Sequence, residues 1–195
     1  FLAIQRATDE VAQIHRTDTC AVDTGIDNGL REMKAIAAEV LAGREPAPAA
    51  TAGKLDHINM LSEFADHVVR FIAGDTLRPL KIVADTANGM GGLVVPAIFD
   101  RLSAFELEVM YGELDGTFPN HPADPLQPAN QRDLQARVLS GGFDVGLAFD
   151  GDADRVFVVD ELGKGMSGST TTALLASRFL RLNPGATILY NLICS

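Results

Sequence analysis

The chain has 195 residues, 47% of them hydrophobic, and a formal net charge of -10. That length accommodates one full core and part of a second, and an acidic balance without any Lys/Arg cluster disfavours a nucleic-acid binder. No apolar run approaches the roughly 18 residues of a membrane span and no basic stretch leads into an apolar signal core, so a soluble cytoplasmic protein is expected.

Residues 1–25 show no clean period and receive no assignment. From Asn28 to Leu41, Leu30, Met33, Ala37, Val40 and Leu41 recur at helical spacing, with Gly43 placed for a left-handed cap. Glu45 to Gly53, with Pro46, Pro48 and four alanines, reads as a linker. His57 to Ile72 repeats the helical pattern through Leu61, Phe64, Val68 and Ile72, with Asp56 in the capping position.

Beyond Gly74, strands and helices alternate. Leu80–Asp85 is a buried strand, Asn88–Gly92 a tight turn, and Leu93–Leu102 a helix with Pro96 near its first turn. Phe105–Tyr111 alternates apolar residues with Glu106 and Glu108, a strand with one wet face. A proline-rich loop through Pro119, Pro122, Pro125 and Pro128 follows. Asn130 caps a helix to Leu139, and Phe143–Phe149 and Val156–Val159 are strands. A helix at Ser169–Leu182 and a strand at Ala186–Ile193 open another unit. This order specifies an α/β fold: a three-layer α/β/α domain on a mainly parallel mixed sheet.

The most informative segment is Asp150-Gly151-Asp152-Ala153-Asp154-Arg155, between two strands. Three carboxylates at alternate positions repel one another unless a cation sits among them, and Gly151 and Ala153 let the backbone curl around it. Hard oxygen donors select Mg²⁺ or Ca²⁺ over zinc, and Arg155 offers a planar fork for a phosphate. Three other readings compete: a solvated acidic turn, an EF-hand and a haloacid-dehalogenase-like phosphatase. The EF-hand count places Glu161 twelfth but finds Arg155 where glycine is required and strands where helices should flank. The phosphatase would need Thr or Val soon after the second Asp, where Asp154-Arg155 stands.

The hexapeptide resembles the Asp-Gly-Asp-Gly/Ala-Asp-Arg metal loop of the α-D-phosphohexomutases, the family of phosphomannomutase and phosphoglucomutase. Val83 to Gly92 (Val-Ala-Asp-Thr-Ala-Asn-Gly-Met-Gly-Gly) is similar to the opening strand and turn of that family's second domain. Gly116-Thr117-Phe118-Pro119-Asn120-His121-Pro122, followed by Asp124-Pro125-Leu126, resembles a further family loop. The likeness runs from about Leu61 to Ser195. It implies that Asp150, Asp152 and Asp154 ligate Mg²⁺ and that Arg155 contacts the phosphoserine or the sugar phosphate. It also implies interconversion of hexose 1-phosphate and hexose 6-phosphate, on mannose or glucose phosphate, through a phosphorylated serine.

The family's Thr-x-Ser-His-Asn-Pro serine loop is not found, nor are the third domain's sugar-recognition loop and the fourth domain's phosphate loop. No catalytic residue is therefore expected within this chain. With Phe1 in place of Met and Ser195 directly after an apolar run, the chain reads as a fragment. Residues 1–54 would be the remnant of a first domain plus linker, 55–163 the second domain, and 164–195 the start of a third. Such a fragment needs the missing mutase domains for turnover; a noncatalytic divalent-cation-binding module is the alternative from another class.

The remaining candidates have plainer readings. Asn88, Gly89, Gly91 and Gly92 lack the order of a dinucleotide loop and make a strand-to-helix turn. His121 finds no partner in the sequence and is assigned a structural or interface role, and His15, His57 and His67 belong to no constellation. Ser167, Ser169 and Thr170–Thr172 are capping hydroxyls, and Glu161 and Lys164 flank a hairpin-like turn at Gly163. Cys20 and Cys194 have neither disulfide nor zinc spacing.

Overall fold

The computed structural model describes residues 30–44, 51, 54–72 and 76–189. The expectations for residues 1–25 and for most of the Glu45–Gly53 linker lie outside these residues. The chain divides into two compact units, Phe1–Ile58 and Asn59–Ser195.

In the first unit, helix α1 (Arg31–Leu41) buries none of its residues; Asn28, where the periodicity begins, lies outside the described residues. Its end follows the sequence closely. Gly43 is left-handed at φ 80°, its N–H donates to Val40 O at 2.9 Å, and the Arg44 N–H donates to Glu39 O at 3.0 Å. This is the Schellman pattern, in which a glycine without a Cβ turns the chain back over its last carbonyls.

The second unit opens with α2 (Leu61–Val69), continued as a 3₁₀ turn over Arg70–Ile72. The helix expected from His57 is thus four residues shorter at its start. Asp56 does not cap it but lies 2.9 Å from Lys54 Nζ. The Leu61 N–H donates instead to Asn59 Oδ1 at 3.0 Å. An Asx side chain two residues before the first helical N–H does the work expected of Asp56.

Strands β1 (Leu80–Asp85), β2 (Phe105–Met110), β3 (Val145–Phe149) and β4 (Val156–Asp160) form one sheet in the order β2-β1-β3-β4. β1 pairs in parallel with β2 and with β3, whereas β4 runs antiparallel to β3. The mixed, mainly parallel α/β sheet read from the sequence is therefore present. Helix α3 (Gly91–Phe99) connects β1 to β2, and α4 (Arg132–Gly141), entered through a 3₁₀ turn at Pro128–Gln131, precedes β3. Because α3 begins at Gly91, Pro96 falls in its second turn and has no N–H to offer the Gly92 carbonyl.

The main core lies between the sheet and α4: Val83, Ala148 and Val159 pack with Leu134, Val138 and Phe143. Side chains alternate along a strand, so Ile82 and Ala84 point to the opposite face, where α3 packs with α2 against it. The sheet thus carries helices on both faces. Asn130 proves not to cap α4; its side-chain amide donates to Asp124 O at 2.9 Å and ties down the proline-rich loop. Phe143 and Asp144 fall short of β3, and Asp144 Oδ2 accepts the Lys81 N–H at 2.7 Å. The segment after β4 turns through left-handed Gly163 to a bridge between Val159 and Gly165, as a hairpin-like turn requires. Helix α5 (Gly168–Leu182) is capped by Ser167, whose Oγ accepts the Thr170 N–H at 3.1 Å, and buries none of its residues. Residues 186–189 form no strand, which corrects the start of the one expected at Ala186–Ile193; its remainder lies outside the described residues.

Candidate metal centre

The carboxyl ends of β1 and β3 lie side by side, with Asp85 paired in register with Ala148 two residues before Asp150. The acidic loop closes on itself between β3 and β4. Asp150 N–H donates to Arg155 O at 3.3 Å, Ala153 N–H to Asp150 O at 3.2 Å, and Arg155 N–H to Asp150 Oδ1 at 3.1 Å. Ala153 takes a left-handed φ of 60° to make that turn. The EF-hand reading is corrected by these flanks, which are strands and not helices.

Asp150, Asp152 and Asp154, predicted as ligands, are brought together: each offers a carboxylate oxygen within 4.8 Å of the others. Asp150 is 1% exposed, whereas Asp152 and Asp154 face solvent. The Oδ2 atom of Asp150 is buried and accepts no hydrogen bond. Arg155 Nη2 lies 2.5 Å from it, an ion-pair contact without the alignment of a hydrogen bond, while Arg155 Nε donates to Asp154 Oδ1 at 3.2 Å. Burial pushes the Asp150 carboxyl above the usual carboxylate range, and the Arg155 N–H and guanidinium act against that shift. A buried carboxylate oxygen with no directed donor, facing two exposed carboxylates, fits a hard divalent cation that keeps part of its water shell. Arg155, 58% exposed at its side chain, is the positive charge beside the cluster.

Two neighbouring segments support this loop. The turn after β1 presses on it directly: Met90 N–H donates to Gly151 O at 2.9 Å, and a Cβ on Gly89 would lie 2.6 Å from that same oxygen. On the other side, a Cβ on Gly151 would lie 3.4 Å from the Phe118 ring and 3.6 Å from Ala123 Cβ. Asn88 joins the two supports. Its side-chain amide donates to Glu113 O at 2.8 Å, its Oδ1 accepts from Asn120 Nδ2 at 2.7 Å, and its carbonyl accepts the Asp115 N–H at 2.9 Å.

Sequence reasoning missed one group here. His121 does have a partner: its Nε2 is 3.0 Å from Asp85 Oδ2, and its Nδ1 is 3.0 Å from Pro122 O. A carboxylate at the carboxyl end of a buried parallel strand was the available signal for Asp85, since ligand sites of open α/β sheets gather there. His67, by contrast, stacks edge-on against Phe71 with ring centroids 5.2 Å apart, and its Nε2 is buried without a partner.

Residues 61–163 match the family model described as phosphoglucomutase/phosphomannomutase, alpha/beta/alpha domain II. The chain is similar to a phosphomannomutase of Salmonella montevideo, 38% identical over 170 residues, which are 85% of this chain and 37% of the relative. It is also similar to a phosphomannomutase/phosphoglucomutase of Pseudomonas putida, 41% identical over 135 residues, covering 68% of this chain and 29% of the relative. Among solved structures, a phosphoglucomutase/phosphomannomutase family protein from Burkholderia thailandensis superimposes with a TM-score of 0.64 at 30% identity, covering 80% of this chain and 33% of that one. The chain therefore spans 37% or less of the length of these three relatives.

Proposed function

The chain belongs to the phosphoglucomutase/phosphomannomutase family, and from that premise we propose that it supplies the cation-binding domain of an enzyme interconverting hexose 1-phosphate and hexose 6-phosphate. Residues 55–163 would be that domain, 1–54 the end of the preceding one with its linker, and 164–195 the start of the next. The observation that carries the cation reading is the convergence of buried Asp150 with Asp152 and Asp154, whose carboxylate oxygens lie within 4.8 Å of one another.

Asp150, Asp152 and Asp154 would hold Mg²⁺, whose charge, when bound, stabilises negative charge on the oxygens of a phosphoryl group. Asp150 supplies the fixed ligand, since its buried carboxylate is anchored by the Arg155 N–H. Arg155 has a second task. Its guanidinium sits against Asp150 and Asp154, and its exposed planar fork would offer a phosphate two donors. The serine that carries phosphate belongs outside this chain, so the chain alone turns over no sugar phosphate. The phosphatase reading is not favoured, because the matched family and the Asp154-Arg155 pair both point away from it.

Calorimetric titration of Mg²⁺ into the chain and its Asp152→Asn variant tests this reading. Saturable binding is expected, weakened about tenfold or more in the variant; equal affinities overturn the ligand assignment. A coupled assay in which the purified chain converts hexose phosphate would overturn the expected inactivity. A chain that binds the ion as assigned, and remains inactive when its missing domains are supplied, favours the noncatalytic cation module.

A further inference from the structure

His121 is held by two acceptors. Pro122 O can only accept, so the Nδ1 atom 3.0 Å away carries a proton. The Nε2 atom faces the Asp85 carboxylate at 3.0 Å, and one more proton must lie between them. Whether that proton resides on the ring or on the carboxyl, the pair shares it as a unit. Asp85 is 1% exposed and its other oxygen accepts the Ala87 N–H at 3.0 Å, so the carboxylate cannot turn toward water. Removing that proton leaves a single ring N–H for two acceptors, so either Nε2 faces the Asp85 carboxylate or Nδ1 faces Pro122 O without a donor between them.

What the pair fastens is the segment that backs the acidic loop. His121 lies between Phe118 and Ala123, the two residues against Gly151. The adjoining Asn120–Asn88 bond ties the same segment to the turn that donates to Gly151 O. Phe118 is itself left-handed at φ 51°, a conformation that needs outside restraint.

We propose that Asp85 and His121 form a positioning pair whose shared proton seats the 115–124 segment against the acidic loop, so that the chain's affinity for a divalent cation falls when the pair is deprotonated. The inference rests on the reading that Asp150, Asp152 and Asp154 hold such a cation. The groups facing the imidazole are Asp85 from β1, Tyr111 after β2 with its ring edge-on at 5.4 Å, and Asp133 from α4. Tyr111 donates its hydroxyl to Asp133 at 2.9 Å; burial and that acid push its pKa up to about 12, so it stays neutral. Burial alone pulls the His121 pKa down, but the Pro122 carbonyl and the Asp85 and Asp133 carboxylates outweigh it, and the pKa is raised above the ordinary histidine value. The proton is therefore held to higher pH than in an ordinary histidine and is lost as pH rises through that raised value.

The test is Mg²⁺ affinity by calorimetry from about pH 6 to about pH 9, with the His121 imidazole ¹⁵N shifts followed in parallel. In the wild-type chain affinity should fall by about tenfold across that range with the midpoint of the imidazole titration. Carboxylate ligation alone strengthens or levels with rising pH, so the sign separates the two effects. Asp85→Asn is the decisive variant. Its amide can donate to a neutral His121 Nε2 and keep the segment seated, so the alkaline loss of affinity should vanish. His121→Phe, which removes both donors, should weaken binding by about tenfold at every pH. A wild-type profile that does not fall toward pH 9, or one as steep in Asp85→Asn, overturns the coupling even while the ion binds. No binding by the wild-type chain overturns the cation reading and this inference together. The wild-type profile and the ¹⁵N titration decide the matter without any variant, should a variant fail to fold.

Discussion

Among the described residues five non-glycine residues adopt left-handed backbone, and four of them, Ala87, Asn88, Phe118 and Ala153, lie in the acidic loop or in the two segments that support it; Tyr111, the fifth, stacks on His121. Each such conformation costs about 1 kcal/mol for a residue with a Cβ, so the site is held in strain that nearby bonds must offset. Asp85 secures Ala87, Asn88 ties together the segments after β1 and β2, and Thr86 Oγ1 donates to Tyr111 O at 2.9 Å. Gly89 shows how little room remains. Its missing Cβ would sit 2.6 Å from Gly151 O and 2.9 Å from Gly151 Cα, both backbone atoms that cannot rotate away. Gly89→Ala should therefore push the turn off the acidic loop. The expected cost is about 1–3 kcal/mol in urea unfolding, with Mg²⁺ binding weakened in the same protein; unchanged binding would show that the turn does not support the loop.

At the scale of elements, β1 and α4 organise the domain. β1 is central, paired on both edges, and four of its six residues are buried. Helix α4 covers one face through Leu134 and Val138, and the bare Gly146 of β3 admits them. A Cβ there would come within 2.8 Å of Val138 Cγ2 and 3.1 Å of Leu134 Cδ1. Leu134→Ala removes a fully buried side chain at this contact and should destabilise the chain by about 2–5 kcal/mol, read as a lowered urea midpoint with an unchanged slope. The same helix reaches the edge strand. Arg137 donates to both oxygens of Glu108 at 2.6 Å, and this fork holds the Glu108 carboxyl below its ordinary range. Helices α1 and α5 present the opposite case, because neither buries a residue.

For the molecule as a whole, the shared proton of Asp85 and His121 links stability to pH. Both pKa values are raised, Asp85 chiefly by burial and His121 by its acceptors against the pull of burial. A raised histidine stabilises the fold fully below its unfolded value, near 6.5, and that contribution is lost as pH rises through the folded value. Raising the Asp85 pKa acts in the same direction. The thermal midpoint of the metal-free chain should fall between about pH 6 and about pH 9, and less so in Asp85→Asn. A flat wild-type profile would mean that the pair contributes nothing to folding. Among the described residues no helix is long and apolar enough to cross a membrane.

Local chemistry alone determined a good deal. Alternation and helical spacing identified β1, β2, β4 and the mixed α/β order, and Gly43 its Schellman turn, because these depend on neighbours within a few residues. Asp150, Asp152 and Asp154 were legible for the same reason: three acids in one short loop cannot lie far apart. Helix starts were read less well: Asn59 takes the role expected of Asp56, and Asn130 donates to Asp124 O while no side chain caps α4. Tertiary structure alone decided that Asp150, unlike its two companions, is buried, and that Arg155 sits against it. It alone joined Asp85 to His121 across 36 positions of chain. That contact depends on how β1 ends beside a loop that follows β2, and no pattern confined to either segment contains it.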